Sequence, residues 1–187
     1  MIKTKKTQVE ILQKENPILR QVSCVVPEAE IKSEEIKKII ADLKIAMNSQ
    51  SDAIAISAIQ IGKPVRLFLI SNKIYEILGE DPEVAKKKKD LIFINPKIKK
   101  TSKEKQKLEE GCLSVRYFYG KVERPTKATV EWYDENGIKA SRGVSGLIAQ
   151  IVQHENDHLD GILFIDKATE LVEITPEEFE KNLKGGV

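Results

Sequence analysis

The sequence predicts an α+β fold in which largely antiparallel β-sheets pack around a central helix carrying an H-E-x-x-H run. Apolar runs of strand length at 65–70 and 91–94, and an alternating segment with a turn and return strand at 127–141, are the sheet candidates. A helically periodic segment follows them and bears the histidines. Strands grouped ahead of that helix, rather than alternating strictly with helices, favour antiparallel sheets over a doubly wound parallel one.

The first periodic segment is 34–47, where Ile36, Ile39, Ile40, Leu43, Ala46 and Met47 form one apolar stripe. Ser33 can cap it, and Glu34 and Glu35 suit the positive end of the helix dipole. This helix is scaffold. The runs 65–70 and 91–94 read as buried strands. Between them, 75–90 holds Gly79, Pro82 and the run Lys86-Lys87-Lys88-Lys89, which predicts an inserted surface loop. The charged stretch 97–107 predicts an exposed strand or hairpin edge, where lysines discourage unwanted pairing.

Residues 127–133 alternate, Asp134-Glu135-Asn136-Gly137 is a turn signal, and 138–141 is the return strand. The hairpin leads directly into the histidine helix. Apolar residues at 144, 147, 148, 151 and 152 give that helix its buried face, with Ser145 as N-cap and Gly161 just past its end. A short helix over 175–183, with Pro176 in its first turn and Gly185-Gly186 ending it, forms the tail.

A chain of 187 residues with 41% apolar content is enough for one domain, 1–187. Its 31 basic and 29 acidic residues nearly cancel, which gives no case for sequence-specific nucleic-acid binding. Two distant cysteines argue against a disulfide framework and for a reducing, cytoplasmic setting. The first eight residues lead into no apolar signal core, and no stretch approaches membrane-spanning length.

The chemistry concentrates in His154-Glu155-Asn156-Asp157-His158, which contains the chain's only two histidines. Positions i and i+4 share a helix face, so both imidazoles can reach one cation, and Glu155 sits beside it as a base. A third ligand must come from elsewhere. Cys24, in Ser23-Cys24-Val25-Val26-Pro27, reads as a small buried hydrophobe. Cys112 follows Gly111 among small, polar neighbours that suit a sulfur at a site. One sulfur and two nitrogens would leave one position open for water, and that donor set suits zinc, ferrous iron, nickel or cobalt. By its residue type alone, Gln60 reads as a surface amide.

Three separated stretches together resemble the peptide deformylase family. Glu110-Gly111-Cys112-Leu113-Ser114 matches its E-G-C-L-S motif at every position, and Gln153 to His158, followed by Leu159 and Gly161, matches its Q-H-E-x-D-H signature. Ala53-Ile54-Ala55-Ile56-Ser57-Ala58-Ile59-Gln60 resembles the first motif, G-x-G-L-A-A-x-Q. It departs at Ala53, Ala55, Ile56 and Ser57. The similarity covers about 18–166.

The resemblance implies a metal-dependent hydrolase that removes the N-formyl group from the N-terminal methionine of newly made polypeptides and releases formate. Cys112, His154 and His158 would hold one divalent cation, Fe(2+) in the cell. Glu155 would take the water proton and pass it to the leaving amine. Gln60 and the Leu113 backbone N–H would donate to the reacting carbonyl oxygen, each worth ~3 kcal/mol. Ala53, Ile54, Ala55 and Gly111 would face the substrate, and the two alanine methyls would crowd it. Glu110, Arg124 and Asp157 are candidates for a charged cluster that orients the ligands. Arg116-Tyr117-Phe118-Tyr119 is atypical and would reshape the mouth of the site. Nascent formylated peptides are the implied partners. The short tail, acidic at its start, gives weak support for stable ribosome docking, and the lysine run offers transient contact only. The alternatives are a zincin-like peptidase or amidase, and a specialised relative that does not deformylate.

Overall fold

Period-two alternation in two central strands decides which helix packs on which face of the main sheet. The computed structural model describes residues 8–185. In β2 (Leu67–Ile70) and β3 (Leu91–Thr101), Leu67, Leu69, Ile92 and Ile94 point to one side, and Phe68, Ile70 and Phe93 to the other. The first set meets α1 (Glu34–Asn48) through Ile36, Ile39, Leu43 and Met47. The second meets α4 (Gly146–Leu159) through Ile151, Val152 and Leu159. Both faces are covered, so the strands read as unbroken apolar runs. Each buried side chain of this size stabilises the fold by about 1.5–3 kcal/mol.

The sheet has five antiparallel strands in the order β1-β2-β3-β6-β7, adding β1 (Ala55–Ser57), β6 (Lys127–Tyr133) and β7 (Lys139–Ser145). A second antiparallel sheet runs β4 (Lys105–Cys112), β5 (Val115–Pro125) and β8 (Thr169–Glu173). It places Lys105 and Lys107 on an edge strand, as the charged stretch predicts. Beneath it, Val115 and Val122 pack with Leu19, Leu163 and Phe164. Helix α4 thus turns its apolar side to the five-stranded sheet and its polar side to β4 and β5. Fold class is as expected: α+β with antiparallel sheets around the histidine helix.

Several details differ from the sequence expectation. The segment 75–90 is not a plain loop but carries two short helices, α2 (Lys73–Ile77) and α3 (Pro82–Ala85). Pro82 sits at the start of α3 with Asp81 accepting from the Glu83 N–H (2.8 Å), and Ile74 and Ala85 are buried. Cys24 is exposed rather than buried, because its extended backbone, bridged to Val65, turns Ser23 and Val26 inward instead. Val144 belongs to β7, and α4 starts at Gly146 with no side-chain cap bond from Ser145. The return strand is longer than 138–141. Helix α5 (Pro176–Gly185) fills the tail, and Gly186 lies outside the described residues.

Candidate active site

The motif spacing on α4 turns both histidines toward the end of β4. The His154 and His158 rings lie 4.8 Å apart between centroids, and His158 Nε2 is 3.1 Å from Cys112 Sγ. Ligand atoms of Cys112, His154 and His158 all lie within 4.8 Å of one another. A cation held at about 2.0–2.3 Å by nitrogen and sulfur needs donors roughly 3.5 Å apart, so these residues fit one with only small adjustments. Residues 46 apart in sequence are thereby joined at one point. The exposed Cys24 stays outside this group.

Around the thiol, N–H donors converge. Ser114 N–H points at Cys112 Sγ (3.4 Å) and Gln60 Nε2 lies 3.6 Å from it. Gln60 is 1% exposed, which overturns the surface-amide reading. Its Oε1 accepts from the Ser57 N–H (2.8 Å) and hydroxyl (3.0 Å), while Nε2 donates to Ser114 Oγ (3.1 Å). The amide's orientation is therefore set by its hydrogen bonds. Ser57 was the functional residue that sequence reasoning missed. It appeared only as a departure from a motif, yet its N–H and hydroxyl both hold the Gln60 amide oxygen. A buried serine within an apolar run was the available signal.

Glu155 is 3% exposed, and its Oε2 has no hydrogen-bond partner among the described residues. Burial pushes its carboxyl up to about 7, against the pull of His154 and the Ser57 hydroxyl. Burial also lowers His158 well below the usual histidine range, helped by His154 and the arginines. His154 goes the other way: burial opposes its charge, but hydrogen bonds with Cys112 and Glu110 raise it well above that range.

Behind the histidines lies an ion-pair cluster. His154 Nδ1 donates to Glu110 Oε2 (2.9 Å), which leaves Nε2 to face Cys112. Arg124 grips both Glu110 oxygens, with Nη2 at 2.9 Å from Oε2, and reaches Asp157 Oδ2 through Nη1 (2.9 Å). Lys167 closes the chain on Asp157 Oδ1 (2.6 Å). Burial raises the Glu110 pKa, but the Arg124 and His154 bonds outweigh it and hold the carboxyl down at about 2. Glu110, Arg124 and Asp157, predicted from motif position, are thus brought together behind His154.

In front lies a cleft of about 310 Å³, within the size range of small-ligand sites, lined by Ala53, Ile54, Ala55, Gln60, Gly111, Cys112, Leu113, His154 and Glu155 among others. Gly111 has a packing reason for its identity: an added Cβ would stand 2.8 Å from the Tyr119 ring. The Leu113 carbonyl accepts from Gln13 Nε2 (3.1 Å), and Arg116 crosses the mouth to Asp52 Oδ2 (2.6 Å) and Gln50 Oε1 (2.6 Å).

A thiol and two helical imidazoles around one point, a buried carboxyl between the imidazoles and a cleft leading to them define a metal-dependent hydrolase. Residues 8–173 match the family model described as polypeptide deformylase. The chain belongs to that family. A peptide deformylase of Rhizobium meliloti is 40% identical over 156 residues, 83% of this chain and 82% of the relative. The structure of a Synechococcus elongatus peptide deformylase in complex with actinonin superposes with a TM-score of 0.72 at 30% identity, covering 99% of this chain and 92% of that one. A class I type b enzyme from Acinetobacter baumannii, with Met-Ala-Ser bound, gives 0.74 at 26% identity over 87% and 99%. The activity is deformylation by a metal-dependent enzyme of translation. No helix among the described residues is long and apolar enough to cross a membrane.

Proposed function

We propose that this chain, acting as one domain in the cytoplasm, deformylates nascent peptides with Glu155 as its proton carrier and with Cys112, His154 and His158 holding one divalent cation. Fe(2+) is the cation proposed for the cell, and Zn(2+), Ni(2+) and Co(2+) suit the same donors. When bound there, the cation supplies Lewis acidity that polarises the formyl oxygen and acidifies a water. Glu155 would take a proton from the attacking water at its unpartnered Oε2 as the water oxygen adds to the formyl carbon. Negative charge moves onto the formyl oxygen, where Gln60 Nε2 and the Leu113 N–H donate. Glu155 then returns the proton to the amine nitrogen as the C–N bond breaks, leaving formate and a free N-terminal methionine. A carboxyl pushed upward by burial suits both tasks.

The observation that carries this reading is the buried Glu155 oxygen without a partner, beside a sulfur and two imidazoles within one cation's reach. The tripeptide Met-Ala-Ser in the Acinetobacter baumannii enzyme supports methionine as the residue at the cleft. Glu110, Arg124 and Asp157 are proposed to fix His154, and Ala53, Ile54, Ala55 and Gly111 to contact the peptide. Ribosome contact is proposed as transient only, since Lys86 pairs with Glu83 and Lys88 with Glu80, which halves the charge of the lysine run.

The test is formate release from a formyl-methionyl peptide by anaerobically iron-loaded protein. Glu155→Ala is expected to lower kcat by ~10²–10⁴ while keeping its metal. A wild-type protein that binds the cation and releases no formate overturns the reading, and cleavage of unformylated peptides would favour a peptidase.

A further inference from the structure

We propose that the C-terminal helix α5 is a wall of the peptide cleft, and that Phe179 with Tyr117 forms a subsite for an apolar side chain downstream of the formylated methionine. The inference rests on the deformylase reading above and adds a specificity determinant to it.

Phe179 is the one described side chain of 176–183 that is not exposed, and it lines the same cleft as Cys112 and Glu155. Its ring meets Tyr117 edge to face, centroids 5.5 Å apart at 86°, and stacks within 5.3 Å of the Arg116 guanidinium carbon. Arg116 is itself fixed by Asp52, next to Ala53. The three side chains thus form a rim of two aromatic rings and a guanidinium.

Burial gives the cleft a direction. Glu155 and His158 are 3% and 1% exposed, while Arg116, Tyr117 and Phe179 are only half-buried. The half-buried lining, which also includes Ile54, Leu147 and Gln150, is the open side of the cleft, and with the formyl group at the ligands the side chains that reach the aromatic rim come after the methionine.

Two observations say that the rim is built rather than incidental. Tyr117 has φ +70°, a left-handed conformation that costs a non-glycine residue about 1–2 kcal/mol and clusters at ligand sites. The chain leading into α5 is tied to the same residue, with Ile174 N–H donating to the Tyr117 carbonyl (2.9 Å) and β8 pairing Glu173 with Phe118. One strained residue within β5 therefore places both rings.

The test compares formyl-Met-Ala-Ala, formyl-Met-Leu-Ala and formyl-Met-Ala-Leu on the iron-loaded full-length enzyme, alongside calorimetric binding of the corresponding deformylated tripeptides. Wild type is expected to favour leucine over alanine at one of the two positions by roughly five- to tenfold, through KM rather than kcat. Phe179→Ala should bring that ratio near one, and Phe179→Leu should restore most of it, both with wild-type metal content and circular dichroism. An unchanged ratio in Phe179→Ala overturns the proposal, as does an equal loss on all three peptides. If no peptide releases formate yet leucine selectivity in binding disappears in Phe179→Ala, the subsite stands and the deformylase reading falls. Absence of leucine selectivity in both measurements sinks the subsite alone.

Discussion

Helices α4 and α5 both face the cleft, and they are held there by opposite means. Helix α4 lacks a side-chain cap bond at Ser145, but it lies between two sheets, with Ile151, Val152 and Leu159 in the apolar core and His154 and Asp157 in the ion-pair cluster. Helix α5 has a complete local start: the Glu178 N–H donates to Thr175 Oγ1 (3.2 Å), and the Thr175 N–H donates to Glu178 Oε2 (2.8 Å). Yet only Phe179 of its described side chains leaves solvent. Good capping makes a helix, whereas burial on both sides makes it a rigid platform. Catalytic ligands sit on the platform, and the specificity element sits on the helix that can yield.

The sharpest way to break this contrast is Arg124→Ala. It leaves Glu110 a buried carboxyl answered only by His154 and a long Gln150 amide contact (3.5 Å), and stability in urea is expected to fall by about 3–5 kcal/mol. Metal retention should fall ~10- to 100-fold as His154 loses its fixed partner. Replacing both residues, Arg124→Met with Glu110→Leu, should recover most of the stability but not the metal, which separates packing from ligand orientation. The sign with pH follows from Glu110, whose carboxyl is held, against its burial, at about 2 in the fold by Arg124 and His154, below the ordinary glutamate value of 4.5. In chelator-treated protein its contribution is full above about 4.5 and disappears as pH falls toward 2, so the gap between wild type and Arg124→Ala should narrow on acidification.

A smaller effect is expected at the end of α4. Gly161 has φ +73°, and a Cβ there would stand 2.6 Å from the Arg20 carbonyl oxygen. Gly161→Ala should cost about 1–3 kcal/mol in thermal or chemical unfolding. The smallest effect belongs to α5. Thr175→Ala removes a cap worth ~1 kcal/mol, but global unfolding should not register it, because α5 opens locally. Hydrogen exchange should accelerate in α5 and stay unchanged in α4. An equal slowing of global refolding or loss of stability in that variant would place α5 in the core and dissolve the contrast.

The histidine pair with Glu155 and the helix at 34–47 were legible because each is a local pattern, a four-residue spacing in one case and an apolar stripe with a serine cap in the other, and Cys112 was legible only through its motif. The Glu110, Arg124 and Asp157 cluster was legible as positions but not as contacts. The segment 75–90 was misread because its lysines outweighed the weak start signal Asp81-Pro82, and Cys24 because four apolar or small neighbours say nothing about which way an extended backbone turns. Ser57 and Phe179 were not legible as site residues at all. Their partners, Gln60 for the one and Tyr117 with Arg116 for the other, are brought near by strand pairing and chain reversal.

By itself the sequence carried the proposed ligands and base as motifs, and the strand and helix periods, since these depend on residue type and on spacing within one element or motif. Tertiary structure alone decided that Cys112 meets His158 across 46 positions, that Gln60 is buried and aimed, and that the tail reaches the cleft. The reason is physical. Spacing along a helix or strand is fixed by backbone geometry, but which elements touch is chosen by burying both faces of β2 and β3 and by pairing buried charges such as Glu110 with Arg124.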